Sequence, residues 1–461
     1  MTVAEKNQRT LDEFIAELDW RGLIHQTTGK KELLARIAND GPWRAYVGFD
    51  PTAPSLTIGN LMGIMTLRRF QEAGHQPVVV MGGGTGLIGD PSGKSAERQL
   101  LTREAVEANV SAQQRIFDAL IDFSKSRPNQ GQLHNNVDWL GTLSYLDALR
   151  DIGKYFSVNA MIQRDSVRDR LHNRDQGISY TEFSYMILQS YDYYHLWKHE
   201  GVRLQMGGSD QWGNIVSGID LIQRMEAGAA RHQERATPGP GDDMPTDERD
   251  PGPFGLTWPL VTKSDGTKFG KTESGAIWLT ADRTSPYEYY QFWLNTPDAD
   301  AGKFLRYFTL LEREEIESLE RQTAENPAGR EAQRRLAREA TTLLHGKTEA
   351  DHAESAAKAL FSGEIGHLPE ATLRQVLANV PASKRPADRL AGDGVKVLDL
   401  LVETGLASSK REAREFLATG SVSFNGKKAS ADDAVKSSDL LHGRLIALRR
   451  GKKNWHLTEW E

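Results

Sequence analysis

Three side chains able to exchange hydrogen bonds with a small polar molecule lie at i, i+4 and i+7 in TEFSYMILQSYDYYHL (181–196): Tyr185, Gln189 and Asp192. On a helix they share one face. Their neighbours Phe183, Met186, Ile187, Leu188 and Tyr191 are apolar or aromatic, where a solvated face would carry Lys and Glu. A phenol, an amide and a carboxylate in that setting suit recognition of a small polar ligand. A hydrogen-bonded network inside the core would use the same residue types. Asp90 follows the glycine run MGGGTGLIGDPSGKS (81–95) at a strand end, where open α/β sheets bind ligands. It also fits a plain Asp-Pro turn. Asp210, in MGGSDQWGN (206–214), stands between a strand and a helix, where an acid can accept from ribose hydroxyls or simply close a tight turn. Lys263, Lys268 and Lys271 stand among three glycines in VTKSDGTKFGKTESG (261–275). Such a loop can bring positive charge onto phosphates during a reaction; lysine-rich exposed loops are also common.

The stretch PSLTIGNLMGIMTLRRF (54–70) puts Thr57, Gly59 and Asn60 at the mouth of an apolar helical pattern. Thr and Asn are good N-caps. The same position offers backbone N–H groups and the positive end of a helix dipole to an anion.

These residues need elements to hold them. RAYVGF (44–49) reads as a strand. The helix after it takes its stripe from Leu61, Ile64, Met65, Leu67 and Phe70 and ends near Gly74. PVVVM (77–81) is a fully apolar second strand of the kind buried in a parallel sheet, and VRLQM (202–206) with its following helix repeats the pattern. The class is therefore α/β. Gly84, Gly86 and Gly89 match a dinucleotide fingerprint, but Asp90-Pro91-Ser92-Gly93 breaks the helix that should open there. GDPSGKS (89–95) and GTKFGKT (266–272) are each one residue short of a phosphate-binding P-loop. A dinucleotide-dependent enzyme is thus a distant alternative.

Residues 225–253 hold few large apolar side chains and several Pro and Gly, which predicts an extended surface insertion. Residues 284–365 read as helical, 366–394 as a linker and 395–461 as a compact module. In that module a helix, a Ser-Ser cap, a second helix, a short strand and an Asn-Gly turn follow one another. Lys410, Arg411 and Arg414 lie on its second helix; Lys427, Lys428, Arg449, Arg450, Lys452 and Lys453 add charge. Twelve Lys or Arg against nine Asp or Glu give it +3, so the remainder of a chain of net charge −6 carries −9. That polarity suits phosphate-backbone contact or a solvated basic face.

With 461 residues the chain needs two or three cores. It has no cysteine, which excludes disulfides, thiol catalysis and zinc–thiolate sites. The N-terminus mixes charges as a surface helix does, unlike a signal or transit peptide, and no apolar run has membrane-spanning length. A cytoplasmic protein is expected.

Several of these stretches resemble one family. Thr57-Ile58-Gly59-Asn60 looks like the His-Ile-Gly-His motif of class I aminoacyl-tRNA synthetases, and Lys268-Phe269-Gly270-Lys271-Thr272 like their Lys-Met-Ser-Lys-Ser loop. YVGFDPTAPSL, GLIGDPSGKSAER, TEFSYMILQSYD, GGSDQWGN and DGTKFGKTESG are similar to bacterial-type tyrosyl-tRNA synthetases. The resemblance implies a Rossmann-like parallel-sheet catalytic domain (1–260), a lysine loop and connection (261–283), a helical domain and a small α+β S4-type RNA-binding module. It implies that Tyr46 and Asp192 bind the phenolic hydroxyl of tyrosine, and that Asp90, Tyr185 and Gln189 hold its ammonium, with Gln211 near the carboxylate. Gly48, Asp50, Gly208 and Asp210 would hold ATP; Thr52, Gly59 and Asn60 would face its phosphates; Lys268 and Lys271 would stabilise departing pyrophosphate. The substrate carboxylate would be the nucleophile, so the protein would supply position and charge, with Mg²⁺ sharing the load. The partners implied are tyrosine, ATP and tRNA(Tyr), in a homodimer with 151–162 near its interface; no organic cofactor or protein-bound metal is implied. Thr57 departs from the family histidine and offers a shorter, neutral donor, so slower activation is expected, or compensation by the lysine loop. An RNA-binding relative with weak or lost activation is the alternative reading.

Overall fold

The computed structural model describes residues 11–29, 42–90, 100–164, 167–168, 171, 177–236, 252–264, 266, 269–272, 275–363, 365–378, 380–451 and 454–461. The chain forms two compact units: residues 1–283 with 297–332, and 284–296 with 333–461.

A six-stranded sheet organises the first unit. Its strands are β1 (Gln26–Thr27), β2 (Arg44–Phe49), β3 (Gln76–Met81), β4 (Gln132–Asn135), β5 (Leu204–Gly208) and β6 (Phe254–Trp258), in the order β1-β6-β5-β2-β3-β4. All neighbours run parallel except β1, which is antiparallel to β6. β2 to β4 step outward to one side, and β5 then returns to the other side of β2. That reversal opens a crevice at the carboxyl ends of β2 and β5, where sheets of this kind bind ligands. Val78, Val79 and Val80 are completely or almost completely buried, as the apolar run of β3 predicts. The helix Leu61–Glu72 joins β2 to β3 and buries ten of its twelve residues. The helix Tyr180–Glu200 is capped by Ser179 and closed by Gly201 at φ 64°.

Three predicted boundaries move. The helix expected after β5 runs Trp212–Ala236, well into the stretch read as an extended insertion. That stretch opens with MEAGAARHQERA, and Ala, Glu, Gln and Arg favour helix without large apolar groups. Residues 237–251 lie outside the described part. The helices of 284–365 do not form one body: Asp298–Phe308 and Arg313–Glu325 belong to the first unit, and Pro286–Leu294 and Lys347–Ser362 to the second. A short hairpin, β7 (Lys271–Thr272) and β8 (Gly275–Ala276), also belongs to the first unit.

The second unit ends in a five-stranded sheet. β9 (Ala382–Arg385), β11 (Val422–Phe424), β12 (Lys427–Lys428), β14 (Leu445–Arg450) and β15 (Asn454–Trp460) are ordered β12-β11-β14-β15-β9, and β10 (Val395–Lys396) pairs with β13 (Ala434–Val435). β9 runs parallel to β15, and Leu390 joins the module's apolar core. The segment read as a linker therefore completes this module; its strand ASKR is an edge strand without alternating apolar residues. Asn425 (φ 48°) and Gly426 (φ 85°) form the predicted turn between β11 and β12, and Ser409 caps the helix Lys410–Ala418.

Candidate active site

A cavity of about 310 Å³ opens at the carboxyl ends of β2 and β5. Tyr46, Asp90, Tyr185, Gln189, Asp192 and Gln211 all line it, as do Gly48, Asp50, Thr52, Gly59, Asn60, Gly208 and Asp210.

Its inner end is built from β2, β5 and the helix Tyr180–Glu200. Tyr46 is 2% exposed, and its hydroxyl is buried without a hydrogen-bond partner among the described residues. Gln205, register partner of Tyr46 on β5, likewise leaves its Oε1 buried and unpaired. Asp192 accepts from Asn136 Nδ2 at 2.9 Å and from Trp139 Nε1 at 2.7 Å. Burial pushes its carboxyl up to about 7, against the two hydrogen bonds, which pull the other way. Burial, and then the charge of Asp192, push the Tyr46 phenol well above its ordinary value. An unpaired phenol near a doubly held carboxylate calls for a ligand with one hydroxyl, since buried polar groups are seldom left open.

The middle of the cavity is acidic. Tyr185 Oη donates to Asp50 Oδ2 at 2.9 Å, and Thr85 Oγ1 to Asp50 Oδ1 at 2.8 Å. Gln211 Nε2 donates to Asp90 Oδ2 at 2.7 Å, while Asn214 Nδ2 reaches Gln189 Oε1 at 2.9 Å and Gln211 Oε1 at 3.2 Å. Two carboxylates held by neutral donors present acceptor capacity to a cation. Asn136, Trp139, Thr85 and Asn214 were not anticipated from sequence. Of these, Thr85 lies in the glycine run 81–95 and Asn214 in GGSDQWGN, where its position one turn after Gln211 was the available signal.

The glycines let bare backbone approach the side chains around the cavity. A Cβ on Gly82 would lie 2.1 Å from Asp50 Oδ1, and one on Gly83 2.1 Å from Asn135 Oδ1. Gly83 N donates to Asn135 Oδ1 at 3.1 Å and Gly84 N to Asn136 Oδ1 at 2.7 Å. The bare backbone thus packs against the side chains that hold the site.

At the outer end Asn60 stands at the N-cap position of Leu61–Glu72, yet its side chain caps nothing. Its Oδ1 accepts from Thr57 N at 3.1 Å and from Thr57 Oγ1 at 3.0 Å. Because both partners are donors, the amide oxygen must face Thr57 and the NH₂ group must face away. Asn60 lines the cavity and Thr57 does not. The Thr57 hydroxyl, expected to reach a phosphate, is spent on orienting Asn60.

The lysine loop is joined to this helix mouth. Ile58 N donates to Ile277 O, Leu279 N to Leu56 O and Ile277 N to Gly270 O, at 2.9, 2.9 and 3.0 Å, and Thr57 bridges Trp278. Gly270 has φ 80°, and a Cβ there would meet Ile58 Cγ2 at 2.5 Å. Phe269 stacks on Phe308 at 5.2 Å and meets Phe304 edge-on at 5.0 Å. Lys271 opens β7; Lys268 lies outside the described residues.

A family model described as "tRNA synthetases class I (W and Y)" matches residues 38–362. The tyrosine–tRNA ligase of Geobacillus kaustophilus is 46% identical over 449 residues, 97% of this chain and all of that protein. The chain belongs to the bacterial-type tyrosyl-tRNA synthetases of class I. The tyrosine–tRNA ligase of Roseiflexus castenholzii is also 46% identical, over 96% of this chain and 98% of its own. The structure of a C-terminally truncated Aspergillus nidulans mitochondrial tyrosyl-tRNA synthetase superposes with a TM-score of 0.64 at 31% identity, covering 78% of this chain and 96% of that one. These matches do not favour a relative that has lost activation.

A second model, the C-terminal domain of tyrosine–tRNA ligases, matches residues 373–458 and so includes β9. In this synthetase the predicted RNA-contacting residues separate. Lys410, Arg411 and Arg414 are exposed on one helix, Lys410 pairing with Asp399 at 2.8 Å. Arg450 instead faces inward: its Nη1 donates to Leu406 O at 2.7 Å and its guanidinium lies 4.9 Å from the Phe416 ring centre. Arg449 donates to Gly451 O and lies over Trp455. Lys452 and Lys453 are outside the described residues.

Proposed function

We propose that the chain activates L-tyrosine with ATP to tyrosyl-adenylate and pyrophosphate, then transfers tyrosine to the terminal ribose of tRNA(Tyr). The observation that carries this is the buried, unpaired Tyr46 hydroxyl in the cavity lining, within electrostatic reach of Asp192. Tyrosine enters with its phenol between these two groups, and its ammonium meets Asp90, Gln189 and the Asp50–Tyr185 pair. Gln211 lies near the carboxylate. That carboxylate attacks the α-phosphate, forming the new P–O bond as the bond to pyrophosphate breaks. Asp210 and the backbone at Gly48 and Gly208 hold the nucleoside. Thr52, Gly59 and the outward NH₂ of Asn60 face the phosphates, and Lys268 and Lys271 take up the charge that develops on the leaving group. Mg²⁺ carried on the ATP phosphates would supply part of the charge neutralisation.

Choice of tyrosine over phenylalanine follows from buried partners that only a hydroxyl can satisfy, an effect for which tyrosyl-tRNA synthetases are the standard case. Lys410, Arg411 and Arg414 form the exposed basic face that meets tRNA. The segment around 151–162 supports a homodimer: Tyr145, Leu146, Leu149 and Val158 are 45–76% exposed, and Tyr180 joins Tyr145 through a 3.4 Å hydroxyl contact. No helix among the described residues is long and apolar enough to cross a membrane. For its proposed role in charging tRNA, we place the protein in the cytoplasm.

Tyrosine-dependent exchange of labelled pyrophosphate into ATP tests the activation step. Exchange with tyrosine and none with phenylalanine is expected. Absence of exchange with an intact fold would overturn the reading.

A further inference from the structure

The helix that begins at the phosphate-facing mouth ends on a second helix, which carries the lysine loop. Arg69, in the last turn of Leu61–Glu72, is 5% exposed. Its Nη2 donates to Arg306 O at 3.1 Å, Tyr307 O at 2.7 Å and Thr309 O at 2.8 Å. Arg21 adds Nη1 to Arg306 O at 2.9 Å and Nη2 to Leu311 O at 2.7 Å, and is itself held by Glu17 at 2.6 Å. Arg306 and Tyr307 lie in the last turn of the helix Asp298–Phe308, Thr309 is its C-cap and Leu311 follows; the last turn has no N–H groups of its own to offer its carbonyls, and its dipole favours a cation there.

The rest of the same helix grips the lysine loop on both sides of its tip. Asp300 accepts from Ser264 N at 3.0 and 3.1 Å and from Ser264 Oγ at 3.0 Å. Lys303 Nζ donates to Thr262 O at 2.7 Å, and Phe269 packs on Phe304 and Phe308. A continuous chain of contacts therefore runs from the Asn60 mouth, along Leu61–Glu72, through Arg69 to Asp298–Phe308, and back to the loop.

We infer that Arg69, with Arg21, is a positioning residue for adenylate formation: it sets the distance between the lysine loop and the helix mouth without touching substrate. The inference rests on the proposed role of the loop lysines. A misplacement of about 1 Å far from the chemistry can cost on the order of 100-fold in rate. The amino-acid pocket lies on other elements, so tyrosine affinity is spared.

The test is single-turnover adenylate formation and equilibrium tyrosine binding for Arg69→Met, Arg69→Lys, Asp300→Asn and the double Arg69→Met/Asp300→Asn. Lys271→Ala is measured beside them, with Arg68→Met as control, since Arg68 contacts Leu120 O and Glu72 instead. Arg69→Met is expected to slow adenylate formation by about 10- to 100-fold and raise the ATP KM, with tyrosine affinity unchanged. Arg69→Lys should recover most of the rate, because three ammonium donors can serve three carbonyls. The double variant should be less impaired than the product of the two single effects, since both act through one helix. An unchanged rate in Arg69→Met, or tyrosine affinity falling in step with the rate, overturns the inference. If Arg69→Met does not fold, Asp300→Asn decides: an unchanged rate and ATP KM overturns it, and a slowed rate with intact tyrosine binding upholds it. If Lys271→Ala keeps the full rate, the loop reading itself fails; if it loses rate while Arg69→Met does not, only the positioning inference fails.

Discussion

Thr57 and Asn60 show how one changed side chain redirects another. With a hydroxyl at 57, both donors of that residue converge on Asn60 Oδ1. An imidazole would reach further and carry charge, so Thr57→His is expected to speed tyrosyl-adenylate formation. An unchanged rate in pre-steady-state measurement would overturn that expectation. At the opposite end of the cavity, Tyr46→Phe removes one net hydrogen bond of about 1–1.5 kcal/mol. Tyrosine should bind roughly 5- to 10-fold more weakly to that variant, and phenylalanine no worse, in equilibrium binding. The carboxyl at 192 holds its proton more tightly when folded than unfolded, titrating at about 7. Its share of stability is full below the ordinary carboxylate pKa and is lost as pH rises through about 7. Asp192→Asn should abolish that loss in urea midpoints compared at pH 5 and 8, while tyrosine binding collapses. Tyr46, Asp90, Tyr185, Gln189, Asp192 and Gln211, which line the cavity, could be found from helical spacing, strand ends and family resemblance. Asn136 and Trp139 could not, because they lie just beyond the short polar strand β4, and their importance rests on Asp192, 53–56 residues away.

The elements differ in how openly the sequence declares them. β2 matches its predicted bounds, since RAYVGF is bounded by turn residues and carries β-favouring side chains. β9 is polar and gains its identity only from β15 beside it, which no local pattern reveals. The same holds for the lysine loop, which reads as a flexible glycine segment yet pairs with 56–58 through backbone hydrogen bonds. Gly270 is the point of closest approach. Gly270→Ala adds a Cβ in a left-handed conformation and against Ile58. The left-handed conformation alone costs roughly 1–2 kcal/mol. We expect this variant to raise the ATP KM and slow adenylate formation while leaving tyrosine affinity intact, checked by exchange kinetics at varied ATP.

For the molecule as a whole, charge and acidity make separable demands. Replacing Lys410, Arg411 and Arg414 by alanine should leave pyrophosphate exchange untouched and weaken tRNA binding. The slope of log affinity against log salt should fall by roughly one for each phosphate that is no longer neutralised. His75 and His345 are held neutral by burial, each titrating at about 4. Both bind protons less readily folded than unfolded, so stability falls as pH drops from 6.5 towards 4, at up to about 1.4 kcal/mol per pH unit for each. His345→Phe keeps an aromatic edge against Tyr289 and should shrink the difference between urea midpoints at pH 4.5 and 7.

The division of the chain has a consequence for synthesis. The polypeptide leaves the first unit at 283 and re-enters it at 297, and the returning stretch supplies the carbonyls that Arg21 and Arg69 grip. While that stretch is still inside the ribosome, Arg21 and Arg69 lack the carbonyls that hold them in the interior. A nascent catalytic unit must therefore wait for residue 311 to emerge before it can close, and a fragment ending at 283 should be recovered as aggregate.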